Sequence, residues 1–416
     1  MKRKSPARAQ LTPPRDLVTG STPWPIVQVP HSSRWPSRPL STDVAIIGTG
    51  ISGALIADAL TDAGHDVVLI DRRRPGNGST RASTALVQCE IDTPLIQLAD
   101  KIGPVNAAQI WRRSRLAVDA LHDRVQQLRL DCDWEERPAL CLDGKVLSPR
   151  GLRAEQAVRQ RAGFQADYLT AAEVEHVARI RGRAALRTAR NYQCDPARLT
   201  SGLLWRSHER GARIFAPFNL VALETRRGRV YMKTVDGHSI SARFVVFATG
   251  YELPHIVSAK GHSVHSTWVI EVQPYRCDQP PLRHLIWEAS NPYLYIRSTP
   301  CGRIVCGGAD EKFANADARD QKLPRKAAYL RRRLLAMMPH FEGDLTRAWC
   351  GSFGGSTHGT PTMGRIPGYP GCYCVLGYGG NGITFSMLAA QLIRSDIEGH
   401  PDPDAHLFSF DREYSQ

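Results

Sequence analysis

The sequence contains no uninterrupted run of about 18 apolar residues, the usual minimum for a spanning helix, so no membrane span is expected. Lys2, Arg3 and Lys4 are followed by a polar, proline-rich stretch that lacks the roughly 7 to 15 apolar residues typical of a secretory signal. The ten cysteines, Cys89, Cys132, Cys141, Cys194, Cys277, Cys301, Cys306, Cys350, Cys372 and Cys374, form no C-x-x-C pair and no zinc-type spacing with histidine, so no metal site is expected. Free thiols suit a reducing compartment, and the expected location is the cytoplasm. Internal repeats and low-complexity tracts are also missing. Lysine is scarce: 54 basic side chains face 40 acidic ones, and all but nine of the 54 are arginine. The resulting charge of +14 favours acidic partners such as nucleic acid or a phosphorylated cofactor. Its dispersion along the chain makes nucleic acid the less favoured of the two.

What is present is an ordinary globular composition, 42% hydrophobic and 23% charged, which excludes wholesale disorder, collagen and coiled coil. A length of 416 residues suits two or three domains. Residues 1–42, rich in Pro, Ser and Arg, read as an extended arm with a mobile tip. From Asp43 the pattern changes. Val44 to Ile47 form an apolar run of the kind buried in a parallel sheet, and Leu55, Ala59 and Ala63 share the inner face of a following helix that Gly64 stops. Val67 to Ile70 make a second buried strand, completing a βαβ unit.

Downstream, a helical period runs from about Val105 to Leu128, with Leu116, Ala120 and Val125 among its apolar positions, and an irregular Arg-rich region follows to about Ala189. Strands are expected at 213–215, 220–224, 230–234, 244–247, within 266–310, and at 372–376. Helices are expected near 327–338 and 383–393, with a glycine-rich turn segment from Gly351 to Gly364. Cys372 and Cys374 alternate to one face of their strand and read as packing residues.

Gly48, Gly50 and Gly53 lie between the first strand and its helix, the setting in which G-x-G-x-x-G signals dinucleotide binding. The first permits the turn, the second admits a pyrophosphate, and the third lets helix and strand pack closely. Ile51 and Ser52 open the helix whose positive end receives negative charge. Asp71, 23 residues after Gly48, suits the hydroxyls of an adenosine ribose and would repel a 2′-phosphate, which disfavours NADP. Arg72, Arg73 and Arg74 either flank the nucleotide or form a solvated basic turn.

Four blocks in order resemble the D-amino-acid oxidase, glycine oxidase and sarcosine oxidase family of FAD enzymes. They are Asp43 to Asp71, Gly78 to Leu86, Phe244 to Gly250, and Gly377 to Thr384, and the likeness spans roughly residues 43–395. It implies an α/β chain: a Rossmann-like FAD-binding domain of glutathione-reductase type, and a second, α+β substrate domain built on an antiparallel sheet. The implied division gives 43–100, 193–255 and 346–416 to the FAD domain and 101–192 and 256–345 to the substrate domain. FAD, held non-covalently, would meet Ser79 and Thr80 near its pyrophosphate and Ser83, Thr84, Ala85 and Leu86 along the ring. Leu220 stands where the family usually has Val against the adenine, and Ala248, Thr249 and Gly250 return beside the nucleotide. Gly380, Asn381, Gly382, Ile383 and Thr384 would bring a helix N-terminus to the flavin pyrimidine, where its positive end favours the anionic reduced ring.

The family's chemistry is hydride transfer from the C–H beside a substrate nitrogen to flavin N5, giving an imine that water hydrolyses. The expected substrate is a small amine or amino-acid-like molecule, and the electron acceptor is O2 or another oxidant. Two familiar carboxylate anchors are missing: Phe353 stands in place of an arginine and Thr384 in place of a lysine. A replacement is expected in Arg297, with Tyr295, which matches an active-site tyrosine of the glycine oxidase branch, lining the pocket. The competing reading is an aromatic sheet face whose arginine pairs with a carboxylate. Phe353 and Tyr378 are candidates to cage an amine, and Gln88, Glu90 and Asp92 to reach the pocket. Cys350 is one residue from the position of covalent flavin attachment in sarcosine oxidases, which reverses its side chain in a strand. Two alternatives stay open: the oxidative half of a tRNA-modifying enzyme, and a flavoprotein without substrate chemistry.

Overall fold

The computed structural model describes residues 11–275, 282–412 and 414; the first ten residues of the expected arm, and Cys277, lie outside them. Two large sheets organise the chain. The first has a parallel core in the order Arg213–Phe215, Val67–Ile70, Leu40–Ile47, Ser239–Phe247, and the last of these strands forks. Its C-terminal half pairs in parallel with Cys372–Leu376, and its N-terminal half continues antiparallel into Arg229–Thr234 and Leu220–Arg226. Val44 to Ile46 and Val67 to Ile70 are almost wholly buried because both faces of the sheet are covered. Helices Ile51–Asp62, Pro104–Leu128, Pro196–Glu209 and Gly382–Ile397 contribute to the core on one face, and the antiparallel strands to the core on the other. Cys372 and Cys374 pack together in the second of these cores.

The second sheet has nine strands, ordered Val18–Gly20, Gly343–Ser356, His262–Pro274, Ile304–Glu311, Leu294–Ser298, Leu285–Glu288, Ala139–Leu142, Ala185–Thr188 and Asp167–Leu169. Only the pairing of Leu285–Glu288 with Ala139–Leu142 is parallel. Helix Leu323–Met337 covers one face through Ala327, Leu330 and Leu334, against Trp268, Ile270, Ile296, Ile304 and Cys306. The opposite face looks toward the first sheet.

Several expectations are corrected. The stretch 351–364 is mostly strand rather than turn: Gly343–Ser356 is a 14-residue strand, because its glycines allow close neighbours, with a side chain at Gly351 falling 2.7 Å from Ala82 Cβ. That strand lies wholly in the second sheet. Residues 129–189 are ordered, with helices Pro149–Arg161 and Ala171–Ala178 and three strands of the second sheet. Helix Pro104–Leu128 packs in the core beside the first sheet through Ile110, Trp111 and Val118, while Leu116 is 49% exposed on its outer side. Leu40 to Thr42 belong to a strand rather than to the arm. Residues 11–39 are anchored along both sheets: Leu11 N–H donates to Leu220 O, Val18–Gly20 pairs with Trp349 to Gly351, and the buried Arg319 donates to Asp16 O and Thr19 Oγ1.

Candidate active site

One continuous cavity runs from the C-terminal ends of the parallel strands to the inner face of the second sheet. At the nucleotide end it is lined by Gly48, Gly50, Ile51, Ser52, Asp71, Arg72, Arg73, Ser79, Thr80, Leu220, Ala248, Thr249 and Gly250. Helix Ile51–Asp62 begins there with Gly50 at its cap, which offers no side chain to its first turn, and no acid stands in that turn; the first N–H, of Ile51, donates to Thr80 Oγ1 at 3.0 Å. Such an end can take a phosphate. Gly53 lies behind the wall: a side chain on it would stand 2.0 Å from Gly48 O, so its absence lets helix and strand touch.

Asp71 Oδ2 accepts from Thr49 N–H at 2.8 Å and Thr49 Oγ1 at 2.7 Å, and Oδ1 accepts from Arg73 N–H at 2.9 Å. A carboxylate has about four acceptor positions, so this set orients the group and leaves capacity for a ligand hydroxyl. Burial pushes its carboxyl above the ordinary range, against the pull of those hydrogen bonds. The two arginines serve the arm. Arg72 binds Thr12 O at 2.8 Å, and Arg73 forms an ion pair with Glu252 at 2.6 Å and donates to Arg15 O at 2.7 Å. Leu11, Thr12 and Leu17 of the arm line the cavity, as do Phe218, Asn219 and Glu252. Irregular segments without period carry no signal for such a role.

The middle of the cavity is walled by Ser83, Thr84, Ala85, Leu86 and Gln88 on one side and Gly380, Asn381, Gly382 and Ile383 on the other. The carbonyls of the first stretch are held by donors from other elements: Ala82 O by Trp349 Nε1 at 3.0 Å, Ser83 O by Trp24 Nε1 at 2.8 Å and Ala85 O by Arg297 Nη1 at 3.4 Å. Asn381 Nδ2 donates to Gln88 O and Glu90 O, at 3.0 and 2.6 Å, and Thr384 Oγ1 to Gln88 O at 3.1 Å. Thr384 therefore braces the wall from behind and does not line the cavity. Helix Gly382–Ile397 also presents an N-terminus without a side-chain cap or an acid in its first turn. Tyr378 donates to Ser52 Oγ at 2.9 Å, and Ser52 in turn meets Ser386 at 2.7 Å, tying the two open helix ends together.

The far chamber is aromatic: Tyr251, Trp287, Tyr293, Tyr295, Phe353 and Tyr378, with Thr267, Asp92 and Asp310. Tyr295 and Phe353 reach it as expected. Burial pushes the phenols of Tyr293 and Tyr295 well up, so both stay protonated hydroxyls. Arg297 does not line the chamber. It shares the sheet face with Tyr295, but its guanidinium is buried 5.1 Å from the Trp24 ring and bonded to Ala85 O, and burial pulls it down to about 10. The anchor reading is corrected accordingly: this arginine braces the cavity wall. Glu90 is equally removed, buried against Thr188 and Arg159. Cys350 points to the other side of the sheet, 3.2 Å from Asp320, with burial pushing its thiol up to about 12. Tyr251, Thr267, Trp287 and Asp310 are the chamber residues that sequence reasoning missed.

The FAD dependent oxidoreductase family model matches residues 43–395, and the chain belongs to that family. It is an FAD enzyme of the D-amino-acid oxidase, glycine oxidase and sarcosine oxidase type. Among similar proteins are the probable oxidoreductase OrdL of Haemophilus influenzae, 22% identical over 90% of this chain and 85% of its own length, and γ-glutamylputrescine oxidoreductase of Escherichia coli, 23% identical over 86% and 84%. The crystal structure of glycine oxidase from Geobacillus kaustophilus superposes with a TM-score of 0.74 at 20% identity, over 90% of this chain and all of that one.

Proposed function

We propose that this chain oxidises the C–N bond of a small amine or amino-acid-like substrate. Support comes from one observation above all: the cavity joins a glycine-lined cleft, where two helices begin without a side-chain N-cap, to an aromatic chamber, without interruption. The uncapped helix ends and the glycine-lined approach fit FAD, with Gly48 to Ser52, Ser79 and Thr80 toward its pyrophosphate and Asp71 toward its ribose. Bound FAD supplies the acceptor for a hydride from the carbon beside the substrate nitrogen, leaving an imine that water hydrolyses.

The protein's part is positioning and electrostatics. Helix Gly382–Ile397 directs its positive end at the middle of the cavity, where negative charge developing on the acceptor is stabilised. Tyr293 and Tyr295 keep their protons and offer hydroxyls to the substrate. Phe353, Trp287 and Tyr251 exclude water from the reacting carbon. Attachment of the cofactor is non-covalent in this reading, since Cys350 faces away.

The test is an anaerobic titration of the holoprotein with amines, N-methyl amino acids, D-amino acids and cyclic imino acids, following flavin absorbance near ~450 nm, the flavin band. Bleaching by one of them is expected, and readmission of air then separates an oxidase from a dehydrogenase. Failure of all of them to bleach the bound flavin would overturn the reading in favour of a flavoprotein without amine chemistry.

A further inference from the structure

The chamber's charge has a definite sign. Among the described residues lining the whole cavity the cations are Arg72 and Arg73, both at the nucleotide end and both engaged by the arm or Glu252. At the substrate end stand two carboxylates, Asp92 and Asp310. Asp92 is occupied in part, accepting from Gly380 N–H at 2.7 Å. Asp310 differs: its two carboxylate oxygens are shut off from solvent, and neither has a hydrogen-bond partner of good geometry. Hydroxyls of Thr267 and Tyr293 lie close enough to favour its charged form. Lys326, which also acts on it through space, is committed to Ala309 O at 2.5 Å and Glu311 Oε1 at 2.8 Å on the helix side of the sheet.

The backbone delivers Asp310 to this place by an irregularity. In strand Ile304–Glu311, Ile304 and Cys306 face the helix core, which by simple alternation would put residue 310 on that side as well. The register opposite shifts instead: Trp268 pairs with Gly308 and Ser266 with Glu311, so Ala309 and Asp310 together oppose Thr267. This bulge inverts the phase, sending Ala309 into the helix core and Asp310 to the chamber. It holds Gly308 at φ +135° and Ala309 at +58°, the second a left-handed, strained conformation for a residue with a side chain. A bent, locally strained strand that turns a carboxylate without a cationic partner in the chamber toward aromatic walls is the arrangement that recognises a cation.

We propose that Asp310 is a specificity-determining residue that binds a cationic nitrogen of the substrate, so that the enzyme takes amines carrying a second positive group and rejects those carrying a carboxylate. The inference rests on the amine-oxidation reading. Hydride loss requires a neutral reacting nitrogen, with its lone pair free. A nitrogen held protonated by Asp310 is therefore a different one, at the far end of a diamine or guanidino-amine, with Tyr293, Tyr295 and Phe353 packing around the chain between.

The experiment uses two probes of one shape and opposite charge, benzamidinium and benzoate, neither of which has an oxidisable C–H beside nitrogen. Each is titrated into the holoprotein and followed by perturbation of the flavin visible spectrum. Benzamidinium is expected to bind and benzoate not, and Asp310→Asn is expected to weaken benzamidinium on the order of 30-fold, as loss of one partner of a desolvated charge pair does. Tighter binding of benzoate than of benzamidinium by the wild type, or equal binding of benzamidinium by Asp310→Asn with its flavin retained, overturns the assignment. The wild-type comparison decides even if the variant does not fold. Anaerobic reduction by a diamine and by the monoamine and amino acid of equal length then tests the reading beneath. Cation binding without reduction by any of them means that amine oxidation fails while the charge preference stands.

Discussion

Gly53 occupies a position where a single methyl group has nowhere to go, 2.0 Å from a backbone oxygen of the turn that it packs on. Gly53→Ala is expected to destabilise the protein by about 1–3 kcal/mol through overpacking. The same substitution should lower FAD content, seen as a reduced ratio of visible to ultraviolet absorbance in the purified protein. Asp310 is the opposite case, a side chain whose chemistry is set by where it is placed. Burial raises its carboxyl to about 6, partly offset by Thr267 and Tyr293. Ionisation as the pH rises through that value switches on attraction for a cation, so the affinity for benzamidinium, which stays charged throughout, should climb between about pH 5 and about pH 7. Asp310→Asn should remove that rise. The stability contribution runs the other way. The unfolded chain releases this proton first, so the contribution of Asp310 falls as pH increases from about 4 to about 6.

At the level of elements, the arm is part of the cofactor cleft rather than an appendage. Leu11, Thr12 and Leu17 line it, Trp24 pins Ser83 O and stacks with Arg297, and Val18–Gly20 adds a strand to the second sheet. Removing residues 1–24 should therefore cause FAD loss on gel filtration, with the cleft opened at its nucleotide end. Little of this was legible in the sequence. The arm has no hydrophobic period, and its order comes from partners far along the chain, such as Arg319 and Glu252. Helix Ile51–Asp62 was legible to within a few residues, because its glycine turn and Gly64 stop are local signals. The strand Gly343–Ser356 was not. Glycines that read as turns in sequence are, in the fold, points where Ala82 and Tyr251 come close.

Across the whole molecule, the cavity belongs to both sheets, and a ligand in it joins them. The holoprotein should unfold at a higher temperature than the apoprotein in scanning calorimetry, with FAD at 100 times its Kd adding about 2.7 kcal/mol. Absence of any shift on adding FAD to apoprotein would count against the cleft as its site. The interior also depends on long-range ion pairs. Glu155 accepts from the N–H groups of Leu95 and Ile96 at 2.9 and 2.8 Å and pairs with the buried Arg159, which stacks on Trp111. Arg159→Ala would strand Glu155 and Glu90 without a cation, with an expected cost of about 3–5 kcal/mol read by urea unfolding.

The sequence by itself determined the βαβ unit, the dinucleotide turn with Asp71, the family and the general chemistry. The first two rest on residues close together in the chain, where φ, ψ and side-chain period are set locally, and the family and its chemistry on four such local blocks in a fixed order. Only the tertiary structure decided the sign of the substrate chamber. Arg297 and Asp310 each depend on contacts between distant segments: one is drawn beneath Ala85 and Trp24, and the other is turned across the sheet by a bulge opposite Thr267. One extra residue in a strand exchanges its two faces, and no spacing rule in a single strand reveals it, because the extra residue is defined by the strand it fails to match.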